Sequence, residues 1–393
     1  MIKDSDLIRD IDFEISSICN AGCSVCMRRR DGHFTEFQHT YWTLKEIKRV
    51  LDVDIIKNLL GFNICGNFGD AMGNPEIVEI IEWIRSINNN CSIVIRTNGG
   101  IGEKKQYERL AELKVMICFG IDGIGNINEL YRVNVKWDKL YENFKSFAQK
   151  SDSWQKEIQF LLWNETTDQI IPIIELAQEY ECGRLYLRKP YTHGKFTEVF
   201  DMKGRSTHFL TELKDSSANF LIDTIWELKD LPELKQKVKN ANIPIFSLRV
   251  SDLLIKPKIK FSEKKYEIKD IKLSEETNNK CIKQTCYSKN RNNFEDLTKS
   301  LYNIYITHNK LLMPCCMIPP YISNSITHSS GTENNDQIEI LNKMKTIGFN
   351  EFSLKDKTLK EVINSGVLRK FVYDDLENNK SFGLCKMHCG KSI

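Results

Sequence analysis

Three cysteines near the amino terminus have the spacing of a metal-cluster loop. Ile18-Cys19-Asn20-Ala21-Gly22-Cys23-Ser24-Val25-Cys26-Met27 places them as Cys-x3-Cys-x2-Cys. Three thiolates on one tight loop can ligate three corners of a cubane iron–sulfur cluster. The fourth iron then has no protein ligand, and an open coordination position marks a catalytic metal site rather than a structural one. Chance clustering and zinc are the rival readings. Zinc usually takes four ligands from paired Cys or Cys/His groups, and the nearest histidine, His33, does not stand at such a spacing.

The elements that must position this loop are strands alternating with helices. Ile11-Asp12-Phe13-Glu14-Ile15 alternates apolar and acidic residues and reads as a strand delivering its carboxyl end to the cysteines. Thr43 to Leu60 has helical periodicity, with Thr43 and Glu46 as a capping box. Further strands are predicted at 61–65, 92–97, 115–119, 157–162 and 184–187. Helices are predicted between them, one opened by Pro75 and one spanning Thr167 to Tyr180. About six such units fall short of the eight in a complete barrel. The predicted fold is α/β: a partial (β/α)6 TIM-like barrel with a smaller carboxyl-terminal domain. Its chemistry belongs at the carboxyl ends of the strands.

The bulk properties agree. The chain has 393 residues, 41% apolar and 28% charged, with a net charge of +3. That balance gives no reason to invoke nucleic acid or a membrane. No secretory signal or membrane span is visible, so a cytoplasmic location is expected. Thirteen cysteines in that compartment point to metal or redox chemistry rather than disulfides.

With these motifs in order, the sequence resembles the radical S-adenosylmethionine superfamily. Phe68-Gly69-Asp70 stands where that family has Gly-Gly-Glu, and Pro75-Glu76 follows at the family distance. Thr97-Asn98-Gly99 matches the turn after the third strand, and Gly120-Ile121-Asp122-Gly123 resembles Ser-x-Asp-Gly after the fourth. Arg132 falls where relatives place an arginine near the cofactor carboxylate. The resemblance implies a 4Fe-4S cluster on Cys19, Cys23 and Cys26 that chelates S-adenosylmethionine. It implies cofactor contacts from Gly69, Asp70, Thr97, Asn98, Gly120 and Arg132. It further implies reductive cleavage to a 5′-deoxyadenosyl radical and hydrogen-atom abstraction from substrate, the cofactor carrying the hard chemistry. A reductant such as flavodoxin or ferredoxin is implied as partner. Three positions depart from the pattern. Val25 replaces a common aromatic residue, Phe68 replaces the first glycine, and Gly120 replaces a serine that often touches the cofactor.

The carboxyl-terminal cysteines Cys281, Cys286, Cys315, Cys316, Cys385 and Cys389 resemble the auxiliary-cluster extension called SPASM, or its shorter relative twitch. Ile304-Tyr305-Ile306 and Leu312-Met313-Pro314-Cys315-Cys316 carry part of that match, with Leu359 to Ser365 and Leu368 to Phe371. Six cysteines suit one auxiliary 4Fe-4S cluster better than two, with one of Cys315 and Cys316 a spare. A zinc knot is the alternative. The expected organisation is a radical domain over 1–195, a connecting region over 196–275 and the auxiliary domain over 276–393. The extension implies a peptide or protein side chain as substrate. No peptide-binding segment is seen ahead of the cysteine loop, which keeps dehydrogenation or rearrangement of a small molecule as an alternative. A non-enzymatic metal-binding protein is the remote one.

Asp122 and Arg188, at strand ends, are the candidate residues for acid–base or substrate contact. Arg28-Arg29-Arg30 reads as a solvated turn rather than an anion contact. His33, His39 and His193 read as structural or exposed. Cys65, Cys91, Cys118 and Cys182 read as core thiols.

Overall fold

Strands form where β-branched and aromatic residues alternate, and here that alternation sets the whole central sheet. The computed structural model describes residues 4–26, 28–30, 33–34, 39–64, 67–190, 196–213, 215–241, 243, 282–284, 303–314, 335–373 and 390–392. The strands β1 (Asp10–Phe13), β2 (Gly61–Ile64), β3 (Ser92–Thr97), β4 (Met116–Gly120), β5 (Lys156–Leu161) and β6 (Arg184–Arg188) lie side by side in chain order. All five of these neighbouring pairs are parallel. Parallel neighbours need crossovers, and helices supply them. They are α1 (Leu44–Val50) and α2 (Val53–Asn58), α3 (Ile77–Ile87), α4 (Lys104–Glu112), α5 (Trp137–Ala148) and α6 (Ile170–Glu179). This is the partial β/α barrel that the sequence predicts.

Three more strands extend the sheet. β7 (Thr224–Glu227) pairs antiparallel with β6. β8 (Asn303–Ile306) pairs parallel with β1 on its other side, and β9 (Leu312–Met313) pairs antiparallel with β8. A short stretch far along the chain is therefore built into the barrel sheet beside the strand that feeds the cysteine loop. A separate hairpin, Phe196–Phe200 with Ser206–Thr211, follows β6.

One sheet face is apolar. Phe119 on β4 packs its ring 5.8 Å from Tyr107 of α4 and 5.2 Å from Phe144 of α5. Residues sharing its side of the pleat, such as Ile95, Ile158 and Leu185, are fully buried. On α3, Ile77, Ile80, Ile81 and Ile84 recur at helical spacing and all are buried. Each such side chain contributes roughly 1.5–3 kcal/mol of hydrophobic stabilisation. The alternate residues, including Asp12, Asn63, Cys118, Gly120, Gln159 and Tyr186, take the opposite face, where Asn63 donates to Asp12 at 2.9 Å.

Two local details differ from the sequence prediction. The helix predicted over Thr43 to Leu60 is two helices, because Leu51 and Asp52 are extended and Asp52 begins a second helix. The Thr43–Glu46 capping box is present. Pro75 lies just ahead of α3, which starts at Ile77. Among the described residues no helix is long and apolar enough to cross a membrane.

Candidate active site at the strand ends

The cysteine loop leaves the carboxyl end of β1 and is held by its own arginines. Arg28 donates from Nη1 to the Ala21 carbonyl at 3.0 Å and from Nη2 to the Cys19 carbonyl at 3.1 Å. Arg29 donates to the carbonyl of Phe200 at 2.7 Å and also to that of Asp201, which ties the hairpin after β6 to the loop. Both arginines are buried, contrary to the solvated turn read from the sequence. A loop that tight turns carbonyls inward, and guanidinium forks satisfy them. Two further backbone bonds shape the loop, Cys26 N–H to Cys23 carbonyl at 3.2 Å and Gly22 N–H to Val133 carbonyl at 2.8 Å.

The donor set fits an iron–sulfur cluster. Burial pushes the Cys19 and Cys23 thiols up to about 12, with Asp70 adding to the effect at Cys19 and Arg132 opposing it at Cys23. Burial likewise raises Cys26. Such thiols give up their protons to a cationic metal centre, not to water. Two N–H groups already point at the Cys19 sulfur, Ala21 N and Asn98 Nδ2, each at 3.4 Å. N–H donors to sulfur tune the potential of a cluster. Among the described residues no three Cys, His, Asp or Glu side chains surround a point suited to one metal ion. A cubane spreads three thiolates over three irons and does not require such a point.

The ends of β2 and β3 are laced to this loop. Asp70 N–H donates to the Ile18 carbonyl at 2.9 Å. The Asp70 carboxylate accepts from Met72 N at 3.0 Å, Thr97 Oγ1 at 2.8 Å and Asn98 N at 2.7 Å. Burial raises its pKa although those three donors oppose the shift. Gly69 lies directly on the backbone before Cys19: a Cβ there would stand 2.0 Å from the Ser16 carbonyl oxygen. Asn98 Nδ2 also donates to Asn20 Oδ1 at 2.9 Å, and Asn20 Nδ2 to the Gly100 carbonyl at 2.9 Å.

The end of β4 carries an ion pair. Arg132 Nε lies 2.7 Å from Asp122 Oδ2, both side chains being largely withdrawn from solvent. Asp122 Oδ1 accepts from Leu161 N at 2.7 Å. Burial raises the Asp122 pKa and the Arg132 charge opposes it. Burial is the largest single effect on Arg132 and would lower its pKa, but Asp122, Cys23, Tyr131 and Cys118 together outweigh it, and the net shift is upward. The guanidinium plane lies over Gly120, where a Cβ would be 2.4 Å from Cζ. Gly120 is thus the residue that makes room for Arg132.

Gly69, Asp70, Thr97, Asn98, Gly120, Asp122 and Arg132 therefore all sit at the ends of β2 to β4, beside Cys19, Cys23 and Cys26. Arg188 ends β6, on the face of the sheet shared with Tyr186, its guanidinium 5.8 Å from the centre of that ring. Cys91, Cys118 and Cys182 are buried. His39 is exposed. Cys65, His193 and all of Cys281, Cys286, Cys315, Cys316, Cys385 and Cys389 lie outside the described residues.

Sequence reasoning missed Glu14 and His308. Glu14 is fully buried and accepts from Phe68 N at 2.7 Å through Oε1 and from His308 Nδ1 at 2.6 Å through Oε2. The available signals were faint: an acidic residue on the polar side of a strand pattern, and a histidine just after Ile304-Tyr305-Ile306.

Residues 13–177 match the family model described as Radical SAM superfamily. No curated protein matches the sequence. Among solved structures, the chain is similar to Streptococcus suis SuiB bound to S-adenosylmethionine, at 16% identity and a TM-score of 0.46. That alignment covers 84% of this chain and 62% of SuiB. SuiB bound to its precursor peptide SuiA aligns at 16% identity and a TM-score of 0.45, over 97% of this chain and 76% of that one. Native anSMEcpe with bound AdoMet aligns at 17% identity and a TM-score of 0.36, over 47% and 53%. The chain thus spans 62% of the length of the first of these proteins.

Proposed function

We propose that this chain reductively cleaves S-adenosylmethionine and abstracts a hydrogen atom from a peptide or protein side chain. The observation that carries the reading is the convergence of the Cys19–Cys26 loop with Asp70, Asn98 and Arg132 inside the matched radical SAM stretch. When bound, a 4Fe-4S cluster and S-adenosylmethionine supply one-electron cleavage to a 5′-deoxyadenosyl radical. The protein binds, orients and shields. Cys19, Cys23 and Cys26 hold three irons. Gly69 to Asp70, Thr97, Asn98 and Gly120 line the cofactor pocket. Arg132, paired with Asp122, would be the cation that meets the cofactor carboxylate. Arg188 at the mouth of the barrel meets substrate.

The peptide class and one auxiliary 4Fe-4S cluster rest on the likeness of the carboxyl-terminal cysteine pattern to SPASM and twitch extensions. A flavodoxin or ferredoxin supplies the electron, and the reaction belongs in the cytoplasm. The test is anaerobic reconstitution with iron and sulfide, then dithionite and S-adenosylmethionine. Wild-type protein forms 5′-deoxyadenosine and Cys23→Ala forms none. Full-rate product from Cys23→Ala, or zinc without iron in anaerobically purified protein, overturns the reading.

A further inference from the structure

Glu14 ties together three parts of the chain that are distant in sequence. Its backbone N–H continues the ladder to β8, donating to the Ile306 carbonyl at 2.8 Å. Its side chain reaches the turn after β2 through Phe68 N and the turn after β8 through His308. The His308 backbone N–H joins Nδ1 on the same carboxylate oxygen, at 3.2 Å. The Phe68 and His308 rings stand 5.4 Å apart. The segment bearing His308 is itself fixed against the start of α1. Trp42 donates its indole N–H to the Thr307 carbonyl at 3.1 Å, and Lys310 pairs with Glu46.

From Phe68 the constraint passes residue by residue to the cysteine loop. Gly69 lies on Ser16, and Asp70 N–H is bonded to Ile18, next to Cys19. A fully buried carboxylate must have its lone pairs satisfied, and its geometry is fixed by whatever donates to it. Here two of the donors come from the turn after β8.

We propose that Glu14 and His308 are a positioning pair through which the carboxyl-terminal strand sets the Phe68–Gly69–Asp70 turn for S-adenosylmethionine. The inference rests on the reading of that turn as a cofactor contact. Neither residue touches cofactor or substrate; they act through Phe68.

The test uses reconstituted, full-length holoenzyme. Its two readouts are the Kd for S-adenosylmethionine and the change in the electron paramagnetic resonance spectrum of the reduced cluster on adding it. His308→Leu keeps the packing against Phe68 and removes the donor, and it weakens S-adenosylmethionine binding about tenfold. His308→Asn restores an N–H close to the Nδ1 position and recovers most of that loss. Glu14→Gln keeps an acceptor for Phe68 N, loses the charge, and falls between them. Wild-type affinity and spectrum in both His308→Leu and Glu14→Gln overturn the proposal. So does a loss in His308→Leu that His308→Asn does not recover, since that marks packing alone. Wild-type protein that neither binds nor responds to S-adenosylmethionine refutes the functional reading instead.

Discussion

The cysteine loop is gripped from two flanks by the same device, a buried carboxylate, but the flanks are assembled differently. On the β2–β4 flank, Asp70 and Asp122 collect donors from the carboxyl ends of consecutive strands and the segments that follow them. On the β8 flank, Glu14 collects donors from residues 54 and 294 positions away. The first flank draws only on residues of the strand–helix repeat, between Asp70 and Leu161. The second exists only because a strand from the carboxyl-terminal part lies beside β1. The barrel half of the site is thus self-contained, whereas the other half makes the Phe68–Gly69–Asp70 turn answerable to a distant segment.

The sharpest way to break this comparison is to unpair each flank. Arg132→Met leaves Asp122 buried without its counter-charge and is expected to destabilise the protein by about 3–5 kcal/mol. Urea denaturation at neutral pH reads the loss, and Asp122→Leu in the same chain recovers much of it. Glu14→Leu strands Phe68 N–H and His308 Nδ1 together and is expected to cost about 2–3 kcal/mol. An equal or larger loss at Glu14 would mean that the β8 flank is the main support of the loop rather than its partner.

These two flanks also explain what could be read from the sequence. The six parallel strands are legible because each is a short run rich in apolar residues, and the first five are each followed by a helical period, a signal contained within about ten to twenty residues. The cysteine loop, Thr97-Asn98-Gly99 and Asp122 are legible for the same reason, since their chemistry is written in neighbouring residues. Arg28 and Arg29 were not. Whether an arginine run is solvated or buried depends on inward carbonyls that only the folded loop creates. Glu14–His308 is a tertiary pairing, and no local pattern fixes the partner of an isolated carboxylate. Gly120 was legible as a departure from a family motif. Its reason, the Arg132 plane, is a contact across the turn.

That contact sharpens the β4 side. A methyl at Gly120 meets the Arg132 guanidinium rather than backbone, so Gly120→Ala acts by displacing Arg132. Overpacking of this kind costs about 1–3 kcal/mol. In an Arg132→Ala background the same substitution should cost close to nothing, because its steric partner is gone. A double-mutant cycle measures this directly. Additive losses would mean that Gly120 serves the backbone and not the arginine.

The smallest effect should come from one donor among three. Thr97→Val removes the 2.8 Å hydroxyl bond to Asp70 while Met72 N and Asn98 N remain. The expected loss is about 1 kcal/mol at neutral pH. Its pH dependence has a definite sign. Burial holds the folded Asp70 pKa above its ordinary 3.8, so the folded state already disfavours the charged form. Relative to the unfolded chain, Asp70 therefore favours folding most below 3.8, and that advantage fades as pH rises through the folded pKa. Thr97→Val takes away a bond that stabilises the charged form. The variant's folded pKa must rise further, and its deficit against wild type must be full where Asp70 is ionised and shrink on acidification. Parallel denaturation curves from neutral to acid pH test this. A deficit that stays constant across the range would assign the loss to the contacts of Thr97 with Gly99 N and Tyr107 instead, and would leave the β2–β3 lacing resting on Asn98 alone.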